Sequence, residues 1–247
     1  MKLLLAAALA SLAAAPVAAQ DAGGRVLSFD LGLGAKQVPV YPGAEDTEAA
    51  PWVIFRNLEV DYGTGGGGRA SGFYVAPSAD LVGGRDEDED EALEGLDEID
   101  RTLELGVRAG FRYEGFNTYA TLRRGFGGHE GIVAEFGTRY STPIGERVTL
   151  TSGIEADYGG DDYMDTFFGV TDEEAGRSVH PAYNPDSGFK SVSALMELRY
   201  QMTPDNAILG RVKAERLIGD AADSPLVEDR DQVTVGIGFV HTFRYRF

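Results

Sequence analysis

Val233-Thr234-Val235-Gly236-Ile237-Gly238-Phe239-Val240-His241-Thr242-Phe243-Arg244-Tyr245-Arg246-Phe247 closes the chain. Its odd positions read Val, Val, Ile, Phe, His, Phe, Tyr, Phe. Its even positions read Thr, Gly, Gly, Val, Thr, Arg, Arg. A period of two places these sets on opposite faces of one long strand. The first face suits hydrocarbon and the second suits a polar interior, the alternation of a membrane-spanning strand.

The opposite end of the sequence agrees. Met1–Ala19 carries one early cation, Lys2, then an apolar run from Leu3 to Val17, and closes on Val17-Ala18-Ala19. This pattern predicts a secretory signal peptide cleaved after Ala19, leaving residues 20–247 as one barrel domain. The sequence holds no Cys, which removes disulfides, thiolate metal sites and a lipidated cysteine. After residue 20, charges or glycines interrupt every apolar run well before the ~18 residues of a spanning helix. The net charge of −18 argues against nucleic acid as a partner.

Period-two segments recur along the chain. The expected strands are Leu27–Ala35, Trp52–Asp61, Gly72–Val82, Arg101–Tyr113, Phe116–Arg124, Gly131–Ser141, Arg147–Asp157, Gly188–Tyr200, Asn206–Leu217 and the C-terminal segment. In the second, Ile54, Leu58 and Val60 form the expected apolar face, interrupted by Arg56. Short connections follow the second, fourth, sixth and eighth strands: Asp61–Ser71 with its glycine run Gly63–Gly68, Glu114-Gly115, Thr142–Glu146 and Gln201–Asp205. Long ones follow the first, third, seventh and ninth: Lys36–Pro51, Gly83–Asp100, Tyr158–Ser187 and Ile218–Asp231. Gly125–Glu130 is a shorter loop after the fifth. Even strand number, short periplasmic turns and long extracellular loops describe an all-β, antiparallel, up-and-down transmembrane barrel of about ten strands. A twelve-stranded count would need Asp161–Val170 as a strand plus one more segment; we place it inside the long loop.

The register sends charges of both signs inward: Asp30, Glu59, Asp80, Glu104, Arg108, Arg112, Arg123, Glu135, Arg139, Glu155, Glu197, Arg199, Arg211, Lys213, Glu215, Arg244 and Arg246. In a small barrel, pairing between such rows fills the interior rather than leaving a wide pore. A soluble barrel around an apolar ligand would reverse the faces.

Candidate chemistry is sparse. The run Asp86-Glu87-Asp88-Glu89-Asp90-Glu91 offers oxygen ligands for Ca²⁺ or Mg²⁺ but lacks the glycine-spaced pattern of a calcium loop. Adjacent acids of this kind read as a solvated loop; weak divalent bridging to lipopolysaccharide phosphates is the functional alternative. His129 and His180 fall in loops, and His241 falls on the lipid-facing row. None stands with a placed serine, so nucleophilic catalysis is not expected. Gly125-Phe126-Gly127-Gly128 lacks the Lys-Ser/Thr of a phosphate loop. No catalytic residue, cofactor or metal site is assigned.

Several segments, taken in order, resemble the MipA/OmpV family of outer-membrane proteins, named for a member that interacts with a lytic transglycosylase. They are Gly32-Leu33-Gly34, Pro39-Val40-Tyr41-Pro42-Gly43, Leu103-Glu104-Leu105-Gly106, Tyr163-Met164-Asp165-Thr166-Phe167-Phe168-Gly169-Val170-Thr171, Tyr183-Asn184-Pro185 with Gly188, and Gly219-Asp220-Ala221-Ala222-Asp223-Ser224-Pro225-Leu226-Val227. Phe243, Tyr245 and the terminal Phe247 resemble the signal read by the barrel-assembly machinery. The resemblance implies an outer-membrane barrel in contact with lipid and lipopolysaccharide. It also implies a non-enzymatic scaffold or envelope-interaction protein that joins a lytic transglycosylase and a murein synthase. A narrow solute pore is the alternative, and a lipid-modifying enzyme a third. Tyr163, Asp165, Phe167, Phe168, Gly169, Asp220, Asp223, Ser224 and Pro225 are the candidate loop or interaction residues. They fall on the face opposite the periplasm, which suits packing or plugging at the barrel mouth better than contact with a murein enzyme.

Overall fold

Ten antiparallel strands take up the alternation: β1 (Val26–Pro39), β2 (Thr47–Asp61), β3 (Gly72–Val82), β4 (Thr102–Tyr113), β5 (Phe116–Phe126), β6 (Ile132–Ile144), β7 (Val148–Gly159), β8 (Gly188–Gln201), β9 (Asn206–Leu217) and β10 (Asp231–Arg246). The structure is a computed structural model and describes residues 26–61, 71–87 and 90–246. Met1–Ala19, Gly63–Gly68, Asp88, Glu89, Phe247 and the side chain of Glu59 lie outside the described residues. One curled sheet runs β2-β1-β10-β9-β8-β7-β6-β5-β4-β3. Sequential strands are neighbours throughout that order, as in an up-and-down barrel; β2 and β3 stand at its two ends, and among the described residues no ladder joins them. Among the described residues no helix is long and apolar enough to cross a membrane, so the strands are the spanning elements.

The outward face is apolar. Leu33, Val53, Phe73, Val75, Leu105, Val107, Leu122, Ile154, Val235 and Ile237 are all exposed, Phe73 by 91%. So much apolar surface has no place in water and matches a belt set in hydrocarbon. Aromatic rings gather towards the end with short turns. Phe29 stacks on Phe243 at 5.2 Å, and Phe116 meets Tyr140 at 4.6 Å. The tightest hairpin, Glu114-Gly115, has φ of 47° and 87°. Two consecutive left-handed residues make the turn whose twist matches that of the flanking strands.

Two β-bulges break the period of two, and each corrects the expected register. The β1–β2 ladder slips between Ser28 and Asp30, where Asn57 adopts φ 56°. Before that point Val53 and Phe55 face outward, while Ile54 is buried inside and Arg56 reaches Glu197 across the lumen. The expected assignment of Ile54 to the lipid face is therefore inverted. The β7–β8 ladder slips at Asp157/Tyr158, whose partners are Ser191 and Phe189. Lys190 is the extra residue, and the bulge turns it inward beside Ser191. Two further corrections concern length and shape. Most of the expected first loop, Lys36–Pro51, is strand, leaving only residues 40–46 between β1 and β2. Asp161–Val170 does lie inside the long loop and is not a strand; the unexpected part is that Asp161–Phe168 forms a helix there, α1.

Candidate functional site: the capped mouth and the paired lumen

The long loops meet over one end of the barrel. Tyr163, Met164, Phe167 and Phe168 lie on one face of α1 at helical spacing, and all four are buried. They pack with Ile99, Val133, Leu217, Ala221 and Ala222. A second cluster joins Tyr41, Ala44, Leu93, Leu96, Val170 and Leu226. Helix α2 (Asp172–Ala175) begins with a capping box: Glu174 N–H donates to Thr171 Oγ1 at 3.2 Å, and Thr171 N–H donates to Glu174 Oε2 at 2.9 Å. Helix α3 (Gly219–Asp223) packs against α1 through Ala221 and Ala222.

Hydrogen bonds tie the family-like segments to one another. Ser224 Oγ–H donates to the Phe168 carbonyl at 2.6 Å and accepts from Leu226 N–H at 3.3 Å. Gly169 caps α1, its N–H donating to the Asp165 carbonyl; a Cβ at Gly169 would stand 2.4 Å from that oxygen. Tyr183 donates to the Asp220 carbonyl at 2.8 Å, and Asp220 Oδ2 accepts from Asp186 N–H at 2.8 Å. Asp223 pairs with Arg230 at 3.1 Å, and Pro225 sits half-buried in the turn that follows. Tyr41 donates to Glu228 at 3.1 Å, and the Gly43 carbonyl accepts from Glu228 and Asp229 N–H groups at 2.9 Å. The motifs that fall between strands thus build one object, a folded cap, whereas Gly32-Leu33-Gly34 and Leu103-Glu104-Leu105-Gly106 lie within β1 and β4. By the asymmetry of outer-membrane barrels, this end faces the exterior and the short turns face the periplasm.

Each histidine has a packing role. His129 is buried between the barrel wall and α1, edge-on to Tyr163 at 5.0 Å and to Phe167 at 5.6 Å. Its Nε2 lies 3.3 Å from Glu104 Oε1, and its backbone N–H donates to Thr102 Oγ1 at 3.0 Å. Burial lowers the His129 pKa, against the opposing pull of Glu104 and Asp162. His180 Nε2 is 2.7 Å from the Ala92 carbonyl, and His241 Nδ1 is 2.9 Å from Asn206 Oδ1. Burial raises the Glu174 pKa, but hydrogen bonds from Asp97 N–H, Thr171 N–H and the Thr171 hydroxyl, with nearby Arg85, outweigh it and hold the carboxyl below its ordinary range.

Below the cap, the lumen is crossed by ion pairs. Asp30 accepts from Arg199 at 2.7 Å, Thr242 at 2.6 Å and Asn57 at 2.8 Å. Glu197 takes Arg56 at 2.7 Å and Arg211 at 3.3 Å. Glu135 gathers Arg108 at 3.2 Å and Arg123 at 3.4 Å, and Arg123 holds Glu104 at 2.7 Å. Glu155 binds Arg139 and accepts from the Tyr119 hydroxyl at 2.5 Å. Several pairs join strands that are not neighbours in the sheet, such as β2 to β8 and β1 to β8, so they brace the interior across its width. Arg244 departs from expectation. It binds Asp205 in the β8–β9 turn and is half-exposed, and Arg246 is exposed at the strand end. Arg56 and Arg199, rather than Arg244 and Arg246, cross the lumen. Asp157, in step with Glu155, and Lys190 are further interior charges, and Lys190 escapes the alternation because its bulge hides it.

A family model described as MltA-interacting protein MipA matches residues 31–243. The chain belongs to this family. Two curated relatives named MltA-interacting protein, from Escherichia coli (strain K12) and from Shigella flexneri, are each 27% identical over 144 residues. Each match covers 56% of this chain and 56% of the relative, so the chain spans about half the length of the curated relatives it matches. Among solved structures, an outer-membrane channel from Pseudomonas putida F1 aligns over 91% of this chain and 97% of its own, at 10% identity and a TM-score of 0.46. Family membership and the apolar belt around a charged lumen make this MipA-family chain an outer-membrane β-barrel.

Proposed function

We propose that this MipA-family barrel is a sealed, non-enzymatic interaction platform of the outer membrane rather than a diffusion pore. The observation that carries the reading is a mouth packed with buried aromatics above a lumen crossed by ion pairs. Phe167 and Phe168 are buried within a folded cap, and charged pairs span the interior beneath it. A cap built from five loops forms the outer surface, while among the described residues the periplasmic side offers a rim of short turns and strand ends. The name of the curated relatives, MltA-interacting protein, supports association with a murein-degrading enzyme. Contact of that kind would use the periplasmic rim, at Glu114-Gly115, Gly145–Arg147 and Met202–Asp205. The candidate residues Tyr163, Asp165, Phe167, Phe168, Gly169, Asp220, Asp223, Ser224 and Pro225 would serve that platform by shaping its outer cap, not by touching the enzyme.

Two measurements test this. Planar-bilayer recording of the purified protein should show no steady single-channel steps; regular steps would establish the pore instead. In-cell crosslinking should recover a murein enzyme from probes at Glu146 and Asp205 and not from probes at Asp165 and Asp223. Recovery from the cap positions alone would overturn the assignment of faces.

A further inference from the structure

Among the described strand residues, the lipid-facing row carries two cations, Arg124 on β5 and Arg216 on β9. A charge in that row needs a reason, because a lipid-facing arginine is unfavourable to a degree that grows with depth. Arg216 is accounted for within the barrel. It donates to both carboxylate oxygens of Asp231 on β10, at 2.8 and 2.7 Å. Arg124 is not matched in this way. Its partner is Glu130 of the β5–β6 loop, at 3.5 Å, and the two side chains are 59% and 75% exposed. An ion pair so open to its surroundings contributes little and is readily exchanged.

Within the sheet, the setting of Arg124 is apolar on every side. Directly opposite it stand Leu105 on β4 and Ile132 on β6, and residues directly opposite share a face. Leu122 and Phe126 precede and follow it in the same row of β5. All four are exposed on the membrane side, by 45% to 53%. Arg124 lies two residues inside the cap end of β5. For a strand tilted by about 40° that is about 5 Å below the end. Such a depth is the edge of the hydrocarbon, where a long side chain can lift its charged head to the level of lipid phosphates.

We propose that Arg124 anchors a binding site for a phosphate-bearing lipid of the outer leaflet, with the phosphate on its guanidinium and the acyl chains on Leu105, Leu122 and Ile132. The planar guanidinium offers paired donors to phosphate oxygens. Lipid is what covers this row, and the apolar collar gives a soluble anion nothing else to hold, so the anion arrives on a lipid. Glu130 is the competing group that the phosphate displaces. Because Glu130 adjoins His129, whose ring is buried against α1, the lipid sits at the foot of the cap.

The test is native mass spectrometry of the purified protein in neutral detergent, titrated with phosphatidic acid, with diacylglycerol of the same chains and inorganic phosphate as comparisons. Phosphatidic acid should bind saturably, and diacylglycerol at least about ten-fold more weakly. Arg124→Gln should weaken phosphatidic acid about ten-fold or more, the range of a lost charged hydrogen bond. Arg216→Gln, which removes the same charge from the same row, should leave it unchanged, and Glu130→Gln should tighten it. Heat-modifiable migration in gels checks that every variant is folded. Undiminished binding by folded Arg124→Gln would overturn the proposal. So would equal weakening by Arg216→Gln, the mark of general charge attraction, diacylglycerol binding as tightly as phosphatidic acid, or displacement of the lipid by an equal concentration of inorganic phosphate, the mark of a free-anion site.

Discussion

Replacement of Phe168 by alanine isolates the cap from the barrel. Phe168 is 0% exposed and lies in the cluster that joins α1 to Leu217, Ala221 and Ala222. Truncating a buried phenylalanine costs about 3–5 kcal/mol through lost transfer energy and the cavity left behind. The backbone anchor survives, because Ser224 bonds the Phe168 carbonyl and not its ring. The cost therefore falls on cap packing. At about 1.4 kcal/mol per factor of ten, the population of cap-open molecules rises roughly 150- to 4,000-fold. Hydrogen exchange on detergent-solubilised protein reads this directly. Amides of Met164, Gly169 and Val227, whose hydrogen bonds lie within the cap, should lose protection by at least about two orders of magnitude. Amides of β4 and β5 in the wall should be unchanged. Equal loss in the wall would refute the separation of cap from barrel, and unchanged cap protection would refute the packing itself.

Other outcomes follow from the same geometry. Glu174, with its depressed pKa, adds stability that is complete above its ordinary carboxylate range and is lost as pH falls through its folded value; His129, also depressed, begins to cost stability below its ordinary value of 6.5. Cap protection should thus fall below about pH 6.5 through His129 and again below about pH 4.5 through Glu174, and His129→Gln should remove the first of these falls when exchange is followed against pH. Asp30→Asn leaves Arg199 in the lumen without its charge partner; removing one member of a buried pair costs about 3–5 kcal/mol, and the heat-modified form in gels should appear at a lower temperature. Gly115→Val forces a branched side chain to φ 87° and should slow refolding into detergent while leaving the cap intact in molecules that do fold.

The legible parts of the sequence were those where one rule acted alone. β4 and β9 alternate without interruption, as does β10 up to Val240, and these faces can be read directly. β2 could not be read that way because the extra residue at Asn57 exchanges the two faces partway along, so Ile54 looked lipid-facing and Arg56 looked misplaced. Lys190 was hidden for the same reason. Helix α1 did carry a signal. Tyr163, Met164, Phe167 and Phe168 are spaced for one helical face, behind two acids that suit a helix start. The segment is only two turns long, and a barrel context favours strand or loop. The lumen pairs were legible as charges but not as partners, since Arg56–Glu197 and Arg199–Asp30 depend on which strands face each other across the curl.

The cap draws residues from the loops that follow β1, β3, β5, β7 and β9, and its two apolar clusters include Tyr41 from the first of these and Leu226 from the last. Such a body has almost no local version of itself. It cannot close until the last hairpin has carried Gly219–Val227 to the outer side, because Ser224 and Leu226 are part of its centre. Cap closure therefore requires that the loop between β9 and β10 has reached the outer side. On intact cells, protease resistance of the cap should distinguish finished barrels from stalled ones, making the outer surface of this protein a gauge of its own biogenesis.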